Sequence, residues 1–164
     1  MKSISFTVDE APAGKKRPKF TTIGGYARSY TPADTLNHEQ YVKACFLQSA
    51  RKKIPLKGPL FPAKTPLAVR ITCYYPIPKS TSNKRACQMA AGEILPVVKP
   101  DLDNVAKLIL DALNGVAWHD DNQIARLTIS KVYGEKPHTD VNIETIEGVN
   151  DGRTQDVYKK DSGK

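Results

Sequence analysis

Hydrophobic residues recur along this chain with two periods. Between Ser3 and Val8 they alternate, with Ile4, Phe6 and Val8 on one face, which predicts a strand. The alternation is clearest from Leu67 to Tyr75. Leu67, Val69, Ile71, Cys73 and Tyr75 form an apolar face, Arg70 and Thr72 take the other, and Pro76 and Pro78 close the segment. Leu127 to Tyr133 and Val141 to Ile146 predict two more strands, joined as a hairpin through Gly134 to His138. Elsewhere the period is helical. A helix is predicted from about Thr35 or Asn37 to Lys53, with Val42, Cys45, Phe46, Ser49 and Ala50 on its inner side. Arg51-Lys52-Lys53 at its end suit the negative pole of the helix dipole. Gly24-Gly25 and Pro32 mark turning backbone before it, and Pro55, Pro59, Pro62 and Pro66 keep the connection after it extended. Ser80 to Ala91 predicts a short helix. In the third helix Val105, Leu108, Ile109, Ala112 and Leu113 form a buried stripe that Asn114-Gly115 ends. The pattern predicts an α/β (α+β) domain over residues 1–146, with one mixed sheet of about four strands and about three helices. From Glu147 to Lys164 the chain is polar and a mobile tail is expected.

Length and composition narrow the choice. The chain has 164 residues, of which 40% are hydrophobic, enough for one domain with its own core. No apolar run approaches the ~20 residues of a membrane span. Cys45, Cys73 and Cys87 make an odd count without a C-x-x-C pair, so neither a zinc site nor a disulfide framework is expected. With no signal-peptide pattern at the N-terminus, the expected location is the reducing cytoplasm. A net charge of +8 implies an acidic partner, nucleic acid first. Lys15, Lys16, Arg17 and Lys19 lie in a loop from Ala13 to Phe20, and Lys84 and Arg85 lie on the short second helix. The basic loop, met alone, reads more readily as a solvated surface than as a DNA contact, and the pair on the helix reads as either.

Against this basic background the stretch from Lys99 to Ile124 is acidic. Asp101 and Asp103 precede the third helix, in a segment that Pro100 biases towards extended backbone, where residues two apart point the same way. Lys107 follows Asp103 by one helical turn, and the loop Val116 to His119 returns the chain to Asp120-Asp121. Residues 101–121 hold five Asp and one Lys, a net −4, which leaves +12 for the remainder of a chain of +8. Carboxylates gathered in this way repel unless a cation lies among them, and a hard divalent ion such as Mg²⁺ prefers an all-oxygen site. An acidic pocket in a basic protein suits metal-dependent cutting of a phosphate backbone. Each acid also has an ordinary use: Asp101 and Asp103 as helix N-terminal acids, Asp120-Asp121 as a turn. Asp111 is expected to hold Lys107, one turn away. Trp118 is expected to anchor the core. His119 has no partner at metal spacing, and Tyr26 and Tyr30 either pack against the sheet or stack on bases.

KPDLDN, a lysine three residues on, DALNG and W-x-DD-x-Q together resemble the signature of the RusA family of Holliday junction resolvases. GKKRPKF, Y-T-P-x-x-T from Tyr30 to Thr35 and YYPIPKS from Tyr74 to Ser80 extend the likeness to about Ile4 to Ile146. The resemblance implies a homodimeric, Mg²⁺-dependent endodeoxyribonuclease, for which Mn²⁺ can substitute. It would resolve four-way DNA junctions by paired nicks in recombination and repair. It implies Asp101, Asp103 and Asp121 as metal ligands, with Lys107 acting on the transition state. Asp120 is then either a supporting ligand or a turn residue facing solvent. Lys15, Lys16, Arg17, Lys19, Lys84 and Arg85 would contact DNA. Two alternatives stay open: a nuclease of the same chemistry acting on flaps or forks, and a non-catalytic DNA-binding protein with a structural acid cluster.

Overall fold

Leu67, Val69, Ile71 and Cys73 are buried, and the strand that carries them, β4 (Leu67–Pro76), lies in the interior of the sheet. The computed structural model describes residues 2–51 and 58–146. The expected helix end at Lys52 and Lys53, Pro55 and the expected tail 147–164 lie outside the described residues. In chain order the elements are β1 (Ser3–Val8), β2 (Lys19–Ile23), β3 (Tyr26–Tyr30), α1 (Ala33–Arg51), β4, α2 (Asn83–Ala90), α3 (Leu102–Leu113), β5 (Ile124–Gly134) and β6 (His138–Thr145). The main sheet has the order β1-β6-β4-β5, with β5 parallel to β4 and the other two pairings antiparallel. It is therefore a mixed four-stranded sheet with three helices.

Two features differ from the sequence expectation. The strands β5 and β6 do not form a hairpin, because β4 lies between them and hydrogen-bonds to both. Residues 135–137 carry the chain past the end of β4, where Tyr74 stacks on His138 with ring centroids 4.1 Å apart. The physical reason is burial. The apolar β4 belongs inside a sheet, whereas β5, exposed from Ala125 to Thr128, tolerates an edge. Secondly, the turn expected at Gly24-Gly25 joins two strands that the pattern did not predict, β2 paired with β3. Gly24 and Gly25 have φ of 59° and 81°, the left-handed pair that a tight two-residue hairpin turn requires.

Helices α1 and α3 pack together, and α1 lies on β1. Val42, Phe46 and Ala50 of α1 meet Ile4, Phe6 and Val8 of β1, and Phe6 meets Phe46 edge to face at 5.7 Å. All five residues of the stripe on α3 are buried, as is Trp118 beyond its end. Each large side chain so buried contributes about 1.5–3 kcal/mol. The opposite face of the sheet is polar, with Asn142 donating to Ser5 at 2.9 Å and Thr7 to Asp140 at 2.6 Å. No described helix is long and apolar enough to cross a membrane. The core thus holds α3 rigidly and leaves its start at the surface.

Candidate active site

Asp101 is the N-cap residue of α3, with extended backbone at φ −68° and ψ 146°. Its carbonyl accepts from Val105 N at 3.1 Å, but its carboxylate caps no helix N–H. Capping therefore does not account for this acid. Asp103 lies inside the first helical turn, not in an extended segment before it. The common direction expected for the two carboxylates thus does not follow from strand geometry. What they share is the positive end of one helix dipole, which favours anions. Both are exposed, and among the described residues neither carboxylate has a hydrogen bond or ion pair.

Lys107 stands one turn after Asp103, exposed. Asp111 does not hold it. The Asp111 carboxylate takes the ammonium of Lys15, and Glu39 lies 3.1 Å from the same nitrogen. Burial lowers the Lys15 pKa, but the bond to Asp111 and the nearby charge of Glu39 outweigh it and leave the pKa raised. Glu39 Oε1 is buried and not aligned for a hydrogen bond, so its share of the attraction is that of a near charge. Lys15 N also donates to Asn104 O at 2.8 Å. Gly14 lies so near α3 that a Cβ there would stand 2.8 Å from Pro100 Cβ and 3.1 Å from Asn104 Cβ. The basic loop is thereby pressed onto the start of α3. Lys15 serves that attachment, with its ammonium paired to Asp111 and beside Glu39.

The other cations point outward. Lys16 pairs with Asp34 at 2.7 Å in the open, and this bond holds the Asp34 carboxyl below its usual range. Arg17 and Lys19 are exposed, as are Lys84 and Arg85 on α2, which packs on β5. Lys15, Lys16, Lys99, Asn104 and Asp101 line one cleft of about 460 Å³. Asp101 and Lys99 also line a cavity of about 520 Å³ whose wall includes Leu95, Val97 and Val98.

Asp120 and Asp121 have separate environments. Asp120 is exposed and accepts from Asn122 N at 3.1 Å, capping a short 3₁₀ turn. Asp121 accepts from the indole N–H of buried Trp118 at 2.8 Å, which fixes one oxygen and leaves the other open. Trp118 is thus the core anchor expected, and it orients Asp121 as well. His119 uses its backbone N–H on Gln123, whose own amide donates to Pro62 O at 2.8 Å and ties the turn to the loop before β4. The spacing W-x-x-D was the only trace of the Trp118–Asp121 bond in the sequence. Nothing local announced the bond from Lys15 to Asp111.

Among the described residues no three Asp, Glu, His or Cys side chains are gathered as a preformed metal cage. The donor chemistry nonetheless fits a hard ion. Among the described residues nothing pairs with the carboxylates of Asp101 and Asp103, and Asp121 keeps an open oxygen. Mg²⁺ commonly uses one or two carboxylates with water and substrate phosphate rather than a full protein cage.

A free carboxylate in a lysine-lined cleft, on a domain of net charge +8, defines a protein that acts on a polyanion. The chain belongs to the RusA endodeoxyribonuclease family, whose model matches residues 9–144, and this makes it a nuclease of the Holliday junction resolvase kind. It is also similar to the uncharacterized protein YqaN of Bacillus subtilis (strain 168). The two are 33% identical over 148 residues, 89% of this chain and 99% of that protein.

Proposed function

We propose that this protein is a homodimeric, Mg²⁺-dependent endonuclease that resolves four-way DNA junctions by paired nicks during recombination and repair in the cytoplasm. The observation that carries this reading is the cleft that joins Asp101 to Lys16 and Lys99, because it sets an acid for a metal beside cations for a phosphate. Asp101, Asp103 and Asp121 would hold Mg²⁺, which when bound supplies a Lewis acid for the phosphate and a water of lowered pKa.

The chain's own residues do the rest. Lys16 and Lys99 hold the DNA backbone in the cleft, and Arg17, Lys19, Lys84 and Arg85 extend the contact along the arms. Lys107, on the same helix as Asp103 and without a competing carboxylate among the described residues, faces the negative charge that grows on the phosphate in the transition state. Trp118 keeps Asp121 in one orientation, so the third acid is ready before substrate arrives. The dimer follows from the substrate, since two symmetry-related nicks need two equivalent sites. The apolar surface of Leu95, Val97 and Val98, with Val97 96% exposed, supports self-association next to Asp101.

The test is cleavage of a four-way junction, a flap and a linear duplex of the same sequence, with Mg²⁺ and with EDTA. Paired cuts in the junction, present only with the metal and far faster than cuts in flap or duplex, are expected. Preference for the flap would move the substrate to another branched DNA. Binding without any cleavage would leave a DNA-binding protein with structural acids.

A further inference from the structure

We propose that the β2–β3 hairpin is an arm that stacks on unpaired bases at the branch point of the DNA, with Tyr26 and Tyr30 as its platforms and Arg28 and Lys19 as its phosphate contacts. The inference rests on the branched-DNA reading above and adds a site to it.

The register places these residues together. Lys19 pairs with Tyr30 and Thr21 with Arg28, so Lys19, Thr21, Tyr26, Arg28 and Tyr30 share one face of the ribbon. Among the described residues nothing covers Lys19, Thr21, Tyr26, Arg28 or Tyr30 on that face. Every residue of β3 is exposed, and Tyr26 and Tyr30 are 77% and 48% accessible. The expectation that these tyrosines pack against the sheet is not what the structure shows. A lone two-stranded ribbon gains little stability of its own in water, and aromatic rings held out on one have no core to serve.

The occupant follows from charge and position. Residues 19–30 contain Lys19 and Arg28 and no acid, which complements a polyanion. Both roots of the ribbon are fixed beside the cleft. At one, Gly14 and Lys15 pin the loop before β2 onto α3. At the other, Lys16 bonds Asp34 and, through its backbone N–H, Thr35 at the start of α1. Aromatic and basic residues alternate at steps of about 6.6 Å along β3. In an intact duplex the faces of the bases are already stacked on one another. Unpaired bases at a branch expose theirs, and aromatic stacking on them is tolerant of sequence.

The experiment uses the full chain without divalent metal, so that binding is read apart from cleavage. The probes are a four-way junction with 2-aminopurine at the branch, oligo(dT) and a linear duplex. The variants are Tyr26→Ala/Tyr30→Ala and Tyr26→Phe/Tyr30→Phe, with melting curves to show that both remain folded. The alanine pair should weaken junction and oligo(dT) binding by about 5- to 100-fold per tyrosine and abolish the change in 2-aminopurine fluorescence. The phenylalanine pair keeps the rings and should bind as wild type. Arg28→Gln should flatten the log–log salt dependence on oligo(dT) by about 0.7. Wild-type affinity and fluorescence in the alanine pair would overturn the proposal, and so would an equal loss on duplex. If that pair binds normally while the wild-type enzyme cleaves junctions, the stacking arm alone fails. If the wild type binds no DNA, the reading beneath it fails too.

Discussion

Lys107 and Lys15 are both cations at the acidic helix, and their surroundings give them opposite fates. Lys107 has no carboxylate partner among the described residues, so its charge is available to the substrate. Lys107→Ala should slow single-turnover cleavage by about 10²–10³-fold and barely change junction affinity in a gel shift. A loss seen wholly as affinity would make it an ordinary phosphate contact. Lys15 is committed to Asp111 and Glu39, with 22% of its side chain exposed. Lys15→Met leaves those acids without their cation and should lower stability by about 1 kcal/mol, allowing for partial solvent screening. Its pKa is raised on folding from 10.5, so the stabilisation is complete below that pH and fades as pH rises through the raised value. The melting difference between wild type and Lys15→Met should therefore hold at neutral pH and shrink above pH 10.5. Trp118→Phe fills most of the same space but donates nothing to Asp121. Cleavage should fall while the protein melts within about 1–2 kcal/mol of wild type. Sequence spacing put Lys107 one turn after Asp103, as the structure has it, but it paired Asp111 with the wrong lysine. The true partner is 96 residues away, and local helical spacing carries no information over that distance.

Elements were legible where one face is buried and the other is wet. β1 shows this contrast at every pair of residues and β4 from Val69 to Cys73, and the bounds of both match the periodicity closely. The stripe of α3 was legible, but the helix starts at Leu102, ahead of the expected start. Among the described side chains of the β2–β3 hairpin none is buried, so alternation could not reveal it. Its only signal was Gly24-Gly25 between β-forming residues, which marks a turn but not what the turn connects. The loop before it shows how small an element's anchor can be. Gly14→Ala puts a Cβ against Pro100 and Asn104, and the neighbour in the way is the backbone-fixed start of α3. The loop should lift from the cleft, weakening junction binding and slowing cleavage together, with far-UV circular dichroism unchanged. Neutralising Lys16, Arg17 and Lys19 should instead reduce the log–log salt slope of binding by about 0.9 per lost contact. An unchanged slope would mark the loop as solvated surface.

Strand order belongs to the whole molecule. The sequence shows that β5 and β6 are strands, but that β4 intervenes between them depends on which strand is most deeply buried. The same scale governs the proposed chemistry: the described residues of each chain offer one proposed acidic site, at the start of α3, whereas a junction has two scissile phosphates related by a two-fold axis. A supercoiled cruciform plasmid reads both the chemistry and the pairing, because one nick relaxes it and paired nicks linearise it. Mixed dimers of wild-type and Asp103→Asn chains should relax the plasmid and linearise it poorly. The most direct measurement is the same plasmid with Mg²⁺ and the Asp103→Asn homodimer, a change that keeps the size of the side chain and removes the charge a hard ion needs. Wild type should linearise the plasmid, while Asp103→Asn should bind the cruciform at least as tightly and leave it supercoiled. Linearisation by Asp103→Asn at the wild-type rate would contradict the placing of the active site at the start of α3.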